Sequence, residues 1–456
     1  MLRDDQRIEE IRLVEVGVFD DSLLKFPKNE TKGLAEVHIF TGENGCGKST
    51  LLYALACFFA FPAMSDERPL ADLKKRLRSD KSQLFGKLLG GDCFLGWKAP
   101  EIERLPNMQP WKLGAGNLYY MSTQLSEASD LLSRFQQCIV QDSAWKRSRF
   151  PFLPIAYSGQ RSLSGPSSAL VIREIDESPL RNHLSFNQTV SPERIIQWVA
   201  NIETQAALAL KDKDKSAAEG YYSALNSVTD AINEICEAEY SFVLQRKPLN
   251  VVLKRGNLEL DFDVLPDGLK SIISWIADVL MRMDRLMWAQ PDQPLLHQPL
   301  ILFLDEIDIH LHPKWQRRVL PVVQKLFPNA QIFVSTHSPF VVGSVRDAWV
   351  YDLDKKGKEI VAQPAGAGHS YEVVLEDIFG ISEHFDTESQ SLLSKLKDER
   401  RNLLQSAAAN PAKYISIARQ LSERSEELDA IVSADIRQLA KHGRKIDLME
   451  AASGPV

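Results

Sequence analysis

Apolar positions fall along this chain in three distinct rhythms. Short, mainly apolar runs come first: Val37–Phe40, Phe150–Tyr157, Leu300–Leu304 and Ile332–Val334, of which Leu300–Leu304 is an unbroken aliphatic and aromatic run. Continuous apolarity over four to eight residues predicts strands covered on both faces, as in a central parallel sheet. The N-terminal stretch Ile8–Val18 also predicts a strand. Residues 189–238 carry apolar positions at helical spacing on either side of the charged turn Lys211–Lys215, which predicts two amphipathic helices. Tyr240–Leu244, Leu249–Lys254 and Leu258–Val264 read as an antiparallel meander. Helical periodicity returns at Leu269–Met281. It appears again after Asp386 or Thr387, either of which would cap a helix running to about Ala408, with a second helix after Asn410-Pro411 to about Val432.

This order of elements predicts an α/β fold with a mixed or parallel sheet, a helical insertion and a helical C-terminal tail. Expected boundaries are residues 1–64, 65–238 (mixed insertion and helical arm), 239–380 and 381–456. The helical pair is too short for a long coiled coil.

The chemistry begins at residues 42–49, Gly-Glu-Asn-Gly-Cys-Gly-Lys-Ser. They follow the Val37–Phe40 strand and precede the helix-forming stretch Thr50–Phe61. This is the phosphate-loop pattern GxxxxGK[ST] in its required context. Gly42, Gly45 and Gly47 permit the tight turn that aims successive N–H groups at one phosphate chain. Lys48 would reach the β- and γ-phosphates, and the Ser49 hydroxyl would coordinate Mg²⁺. The nucleotide site therefore comprises Gly42, Glu43, Asn44, Gly45, Cys46, Gly47, Lys48, Ser49 and Thr50.

The strand Leu300–Leu304 delivers Asp305 and Glu306. Asp305 would hold Mg²⁺, and Glu306 would orient or polarise the water that attacks the γ-phosphate. The strand Gln331–Ser335 delivers His337 at its C-terminal end, where nucleotide sites of open α/β sheets collect.

These motifs together resemble the ABC-type ATPases of the RecF/SMC kind. More narrowly they resemble the AAA-like ATPases of bacterial anti-phage operons (Septu, PARIS, retron-linked) and virulence-associated ATPases. The resemblance rests on Ile8–Val18, GENGCGKST, LFLDEIDIHLHP (302–313), STHSPFVV (335–342) and Leu265–Ser271. It implies ATP and Mg²⁺ as ligands and a head-to-tail homodimer or higher assembly. Each nucleotide would be gripped by one loop and by the partner's signature motif, here Leu265, Asp267, Gly268 and Lys270. Pro266 stands where such motifs carry a serine, so slow hydrolysis is expected. Asp308–His312 would cross the dimer interface, with His310 and His312 as packing residues. Gln160 is the candidate glutamine sensing the γ-phosphate and Mg²⁺, and His337 the candidate switch histidine.

Composition limits partners and location. The balance of 54 basic against 61 acidic residues gives a net charge of −7, so nucleic-acid contact would need a local patch. Two basic runs qualify, Lys74–Arg78 with Lys81, and Lys146–Arg149 between Trp145 and Phe150; the alternative for both is a solvated helix face. Cys46, Cys57, Cys93, Cys138 and Cys236 form no CxxC pair, which suits a reducing compartment. The chain opens without a signal peptide, and its longest apolar run, about Leu51–Met64, is too short to span a bilayer. The expectation is a cytoplasmic protein. Asp352-Leu353-Asp354 has the spacing of a nuclease DxD pair, but it precedes an expected hairpin at Lys355–Gly357 and reads as structural. The chain is thus expected to be an ATPase that controls a separate nuclease or toxin in anti-phage defence, docked on the helical tail. The alternatives are a RecF-like DNA clamp and a nucleotide-sensing scaffold with little turnover.

Overall fold

The computed structural model describes residues 7–59, 72–88, 91–96, 111–112, 119–122, 144–159, 172–186, 190–247, 249–355, 357–365, 370–380, 385–405, 410–443 and 446. The chain divides into two compact units, Met1–Val374 and Leu375–Val456.

In the first unit, hairpin β1 (Ile8–Val16) and β2 (Phe19–Lys25) leads to β3 (Glu36–Thr41), α1 (Lys48–Cys57), β4 (Gln83–Leu88), β5 (Gly91–Gly96) and β6 (Tyr119–Ser122). Next come β7 (Leu153–Tyr157), helices α2 (Pro192–Lys211) and α3 (Lys215–Cys236), and strands β8 (Tyr240–Arg246), β9 (Leu249–Arg255) and β10 (Leu258–Leu260). The unit continues with α4 (Asp267–Asp284), β11 (Leu300–Leu304), α5 (Pro313–Leu326), β12 (Ala330–Ser335) and β13 (Trp349–Asp352).

The central sheet runs in the order β13-β3-β12-β11-β7, all parallel, with Gln363–Pro364 antiparallel at its edge. Every residue of β3, β7, β11 and β12 is buried, as two covered faces require. Helix α1 lies against β12, β11 and β7, and its buried residues run without a break from Leu51 to Cys57. Phe303 and Phe40 flank Phe333 in near-parallel stacks, with centroids 5.5 and 6.3 Å apart. A second sheet, antiparallel in its main strands, runs β2-β1-β4-β5-β6 beside it.

The helical pair and the meander form as the periodicity predicts, with α2 and α3 breaking at Asp212–Asp214. Several boundaries differ. The first strand ends at Val16, because Gly17 (φ 55°) turns the chain into β2. Helix α1 begins at Lys48 and ends at Cys57 rather than running from Thr50 to Phe61. The third meander strand stops at Leu260 and gives way to a 3-10 turn at Phe262–Val264. The expected hairpin at Lys355–Gly357 does not form: β13 pairs with Gln363–Pro364, whereas Glu359–Ile360 pairs with β2 in the other sheet.

The second unit holds α6 (Thr387–Gln405), α7 (Ala412–Ser422) and α8 (Glu426–Lys441) around a core of its own, which includes Leu392, Leu396, Leu421, Leu428 and Val432. Asp386 caps α6 by accepting from the Glu388 and Ser389 amides, both at 3.1 Å. The single helix expected after Pro411 is two, because the Ser425 hydroxyl accepts from the Leu428 amide and starts a new one.

Candidate functional site

The loop between β3 and α1 has the backbone that its glycines predict. Gly42, Gly45 and Gly47 sit at φ 134°, 86° and 112°, conformations open to glycine at little cost. At Gly47 a Cβ would also lie 2.7 Å from the Phe19 ring and 2.8 Å from Val18, so the turn of the β1–β2 hairpin presses on the start of α1. Gly47 caps that helix with no side-chain acceptor, and its first turn holds no acid. A helix start without a side-chain cap or an acid in its first turn is suited to an anion. Lys48 Nζ donates to the carbonyls of Gly42 (2.8 Å) and Glu43 (2.9 Å), folding back on its own loop. Ser49 and Thr50 follow in the first turn of α1. Burial pushes the Cys46 thiol above its ordinary value, which leaves it a neutral packing group.

The adjacent strands bring the acids to the same edge. Sheet order places the C-terminal ends of β3, β12, β11 and β7 side by side, so the loops at 42–49, 336–337, 305–306 and 158–159 stand in series. Asp305 is 8% exposed and accepts from the Ser335 hydroxyl at 2.6 Å. The same hydroxyl oxygen accepts from the Glu306 amide at 2.7 Å. Ser335 thus ties both carboxylate residues to β12, a role that the spacing alone does not show. Glu306 itself is held at φ 47°, a region that costs a non-glycine residue about 1–3 kcal/mol. Its side chain lies over Gly159, where a Cβ would meet Glu306 Oε2 at 2.5 Å. Two residues later, Asp308 Oδ1 accepts from the Thr336 hydroxyl (2.6 Å) and from the His337 amide (3.4 Å). That bond fixes the backbone that presents His337.

The Leu265–Lys270 turn opens α4, which Pro266 caps without a side-chain hydrogen bond. Gly268 is closely approached by its own chain: a Cβ there would lie 2.6 Å from the His310 carbonyl and 3.0 Å from the Trp315 ring. The turn and the Asp308–His312 segment therefore share one surface. Asp267 lies in the first turn of α4, and Lys270 Nζ donates to the Asp263 carbonyl at 2.7 Å. His312 Nδ1 accepts from the Lys314 amide and caps α5. Among the described residues no group of three or more His, Cys, Asp or Glu is placed to hold a metal ion. Gln160 lies outside the described residues, and Leu265 is buried beneath the turn.

Much of the two basic runs is engaged within the chain. Lys75 pairs with Asp72 at 3.0 Å, Arg76 stacks 4.1 Å over the Tyr53 ring, and Arg78 pairs with Asp20 at 2.5 Å. Lys146 pairs with Asp176. Asp354, read from the sequence as structural, bonds to the loop between β3 and α1: its Oδ2 accepts from the Glu43 amide at 2.6 Å. No helix among the described residues is long and apolar enough to cross a membrane.

Residues 153–343 match the family described as "AAA domain, putative AbiEii toxin, Type IV TA system", and residues 6–78 match a second family described as "AAA domain". Over 202 residues the chain is 34% identical to the "Retron Ec83 probable ATPase" of Escherichia coli, covering 43% of this chain and 35% of that protein. It is 39% identical over 98 residues to the "Retron Vc95 probable ATPase" of Vibrio cholerae, covering 21% of this chain and 18% of that protein. It is 26% identical over 141 residues to "Septu protein PtuA" of Bacillus thuringiensis, covering 29% and 36%. Over these stretches the chain is similar to two retron probable ATPases and to a Septu protein PtuA. The aligned stretches span about a third or less of each of these relatives. Its fold is α/β, with a parallel central sheet whose strand β3 leads into the phosphate-loop motif, and two of its stretches match AAA-domain families. Among solved structures, the SMC head bound to the C-winged helix domain of ScpA superposes with TM-score 0.43 at 12% identity, covering 78% of this chain and 98% of that one. The SMC head domain from Thermotoga maritima gives TM-score 0.39 at 14% identity, with 79% and 99% covered. Superpositions this loose decide nothing about function.

Proposed function

We propose that this chain binds ATP at residues 42–50, hydrolyses it slowly, and dimerises or assembles further around it to control an associated nuclease or toxin in anti-phage defence. The observation that carries the reading is the Ser335 hydroxyl. It holds Asp305 and the Glu306 backbone together at the edge where the phosphate loop opens. A carboxylate kept in a costly backbone conformation beside a phosphate loop is poised to orient an attacking water. Lys48 would exchange the loop carbonyls for the phosphate chain. The Ser49 hydroxyl and the Asp305 carboxylate are hard oxygen donors that suit Mg²⁺, which when bound would neutralise charge on the β- and γ-phosphates. The Asp308 bonds to Thr336 and His337 would keep His337 aimed at the γ-phosphate. The shared surface of Leu265–Lys270 and Asp308–His312, with Val264 66% exposed at its border, is the face proposed to meet the second subunit. The kinship with retron ATPases and Septu PtuA supports the defence setting.

The test is mass photometry with and without ATP and Mg²⁺ on wild type, Lys48→Ala and Glu306→Gln. A rise in mass with ATP is expected in wild type, is expected to persist in Glu306→Gln while hydrolysis stops, and is expected to vanish in Lys48→Ala. Equal ATP affinity in Lys48→Ala would remove the loop assignment. A large assembly that forms without nucleotide would turn the reading to a constitutive scaffold.

A further inference from the structure

Two side chains grip a single peptide unit of the nucleotide loop, one from each side. The carbonyl of Gly42 accepts from Lys48 Nζ at 2.8 Å. The amide of Glu43, the other half of the same peptide, donates to Asp354 Oδ2 at 2.6 Å. The carboxylate comes from the far end of β13. That strand pairs in parallel with β3 up to Asp352↔Thr41, and the Leu353 amide extends the ladder by donating to the Thr41 carbonyl at 3.0 Å. The Asp352 carboxylate in turn accepts from the Asp354 amide at 3.0 Å and pairs with Lys355 at 3.2 Å. Asp354 also sets the shape of the loop: a Cβ on Gly42 would lie 2.9 Å from Asp354 Oδ2 and 2.8 Å from Cys46 Sγ.

Lys48 cannot serve the loop carbonyls and a phosphate chain equally. Once its ammonium turns to an anion, the Gly42–Glu43 peptide loses the cation on its oxygen and keeps only the carboxylate on its N–H. We propose that Asp354 is a positioning residue for nucleotide binding, which holds this peptide in its cradle orientation while Lys48 changes partners. This rests on the proposed assignment of ATP to residues 42–50. An acid so near a polyphosphate site would by charge alone weaken binding. Its hydrogen bond is charge-assisted and of the stronger kind, and it acts on a loop whose glycines otherwise leave the peptide free to rotate.

The two effects predict opposite results, which isothermal titration of ATP and Mg²⁺ into the full chain separates. Asp354→Ala is expected to weaken ATP binding roughly tenfold, in line with loss of a charge-assisted hydrogen bond. Asp354→Asn keeps an acceptor on the Glu43 amide and is expected to lose only about threefold. In steady-state hydrolysis the Ala variant should raise KM and leave kcat near wild type, because no group touching the γ-phosphate has changed. Binding by the Ala variant within twofold of wild type would overturn the proposal. So would tighter binding in both variants, which would make the carboxylate only a repulsive charge. If the wild type itself binds no ATP, the nucleotide assignment falls and this proposal with it. If the wild type binds and the Ala variant binds equally well, only this proposal falls.

Discussion

At the N-terminal ends of β3 and β12, polar groups are buried and mutually satisfied. Arg7 donates to Glu36 and to the Phe26 carbonyl, and Gln331 donates to Glu36 and to the Ile8 carbonyl, each at 2.8 Å. Gln331 Oε1 also accepts from the Ile8 amide at 2.8 Å. One glutamine side chain thus ties the start of β1 to the central sheet as a neighbouring strand would. At the C-terminal ends of the same strands the arrangement is different. Glu306 and His310 sit at φ 47° and 61°, and Glu43, Asn44 and Gly45 face solvent. Ser335, Thr336 and Asp308 tie the acids and the His337 backbone there, while Lys48 and Asp354 hold the loop. One end of the sheet is built to be stable. The other holds Glu306 and His310 at positive φ, the kind of strain expected where function and stability compete.

Three measurements would break or sharpen this contrast. The largest effect is expected from Glu36→Ala, which leaves Arg7 buried without its partner. Loss of one member of a buried pair costs about 3–5 kcal/mol, so the urea midpoint should fall sharply while the folded fraction still binds ATP. A shift under about 1 kcal/mol would mean that the lower network is not a structural clamp.

Acidification should come next, acting on the flank of β7. Burial, with the nearby Arg282 charge, pushes His183 down to about 3; its Nδ1 faces the Leu180 carbonyl, and Nε2 has no hydrogen-bond partner. The unfolded chain therefore takes up this proton first. Stability should be fully present above pH 6.5 and lost as pH falls from there toward 3, at up to about 1.4 kcal/mol per pH unit. Chemical denaturation at pH 7.5 and 5.5 checks this, and the difference should shrink in His183→Phe. A pH-independent midpoint would remove the assignment.

The smallest effect has the opposite sign. Glu306→Gly relieves the positive φ and should stabilise the protein by about 1 kcal/mol while hydrolysis is lost. Destabilisation in this variant would show that the upper edge is not strained at the expense of stability.

Much of this site was legible because its signals are local. The loop needs glycines and Lys48 within eight residues, and β11 and β12 show themselves as apolar runs ending in Asp305-Glu306 and in Thr336-His337. The helical pair and the meander follow from period and turn residues. The parts that escaped are contacts between distant segments. Ser335 opens the STHSPFVV stretch at the end of a strand, but nothing along the chain says that its hydroxyl serves Asp305. Gly159 leaves room for Glu306 across 147 positions of sequence. Asp354 reads as structural from its place before an expected hairpin, and the sequence does not show its partner: β13 lies beside β3 and brings the carboxylate to Glu43. The break at Ser425 was missed for a smaller reason, since the helical period continues through it and only the cap ends one helix and starts the next.

The order of residues by itself determined that a phosphate loop, an acid-tipped strand and a histidine-tipped strand occur in one α/β unit with helices before and after. Those features depend on backbone freedom, period and spacing over ten residues or fewer. The tertiary structure decided which strands stand side by side. That choice set which hydroxyl serves Asp305, which glycine makes room for Glu306 and which carboxylate grips the loop. Such contacts are set by the lateral order of strands, a global packing outcome in which each pairing joins segments dozens to hundreds of residues apart.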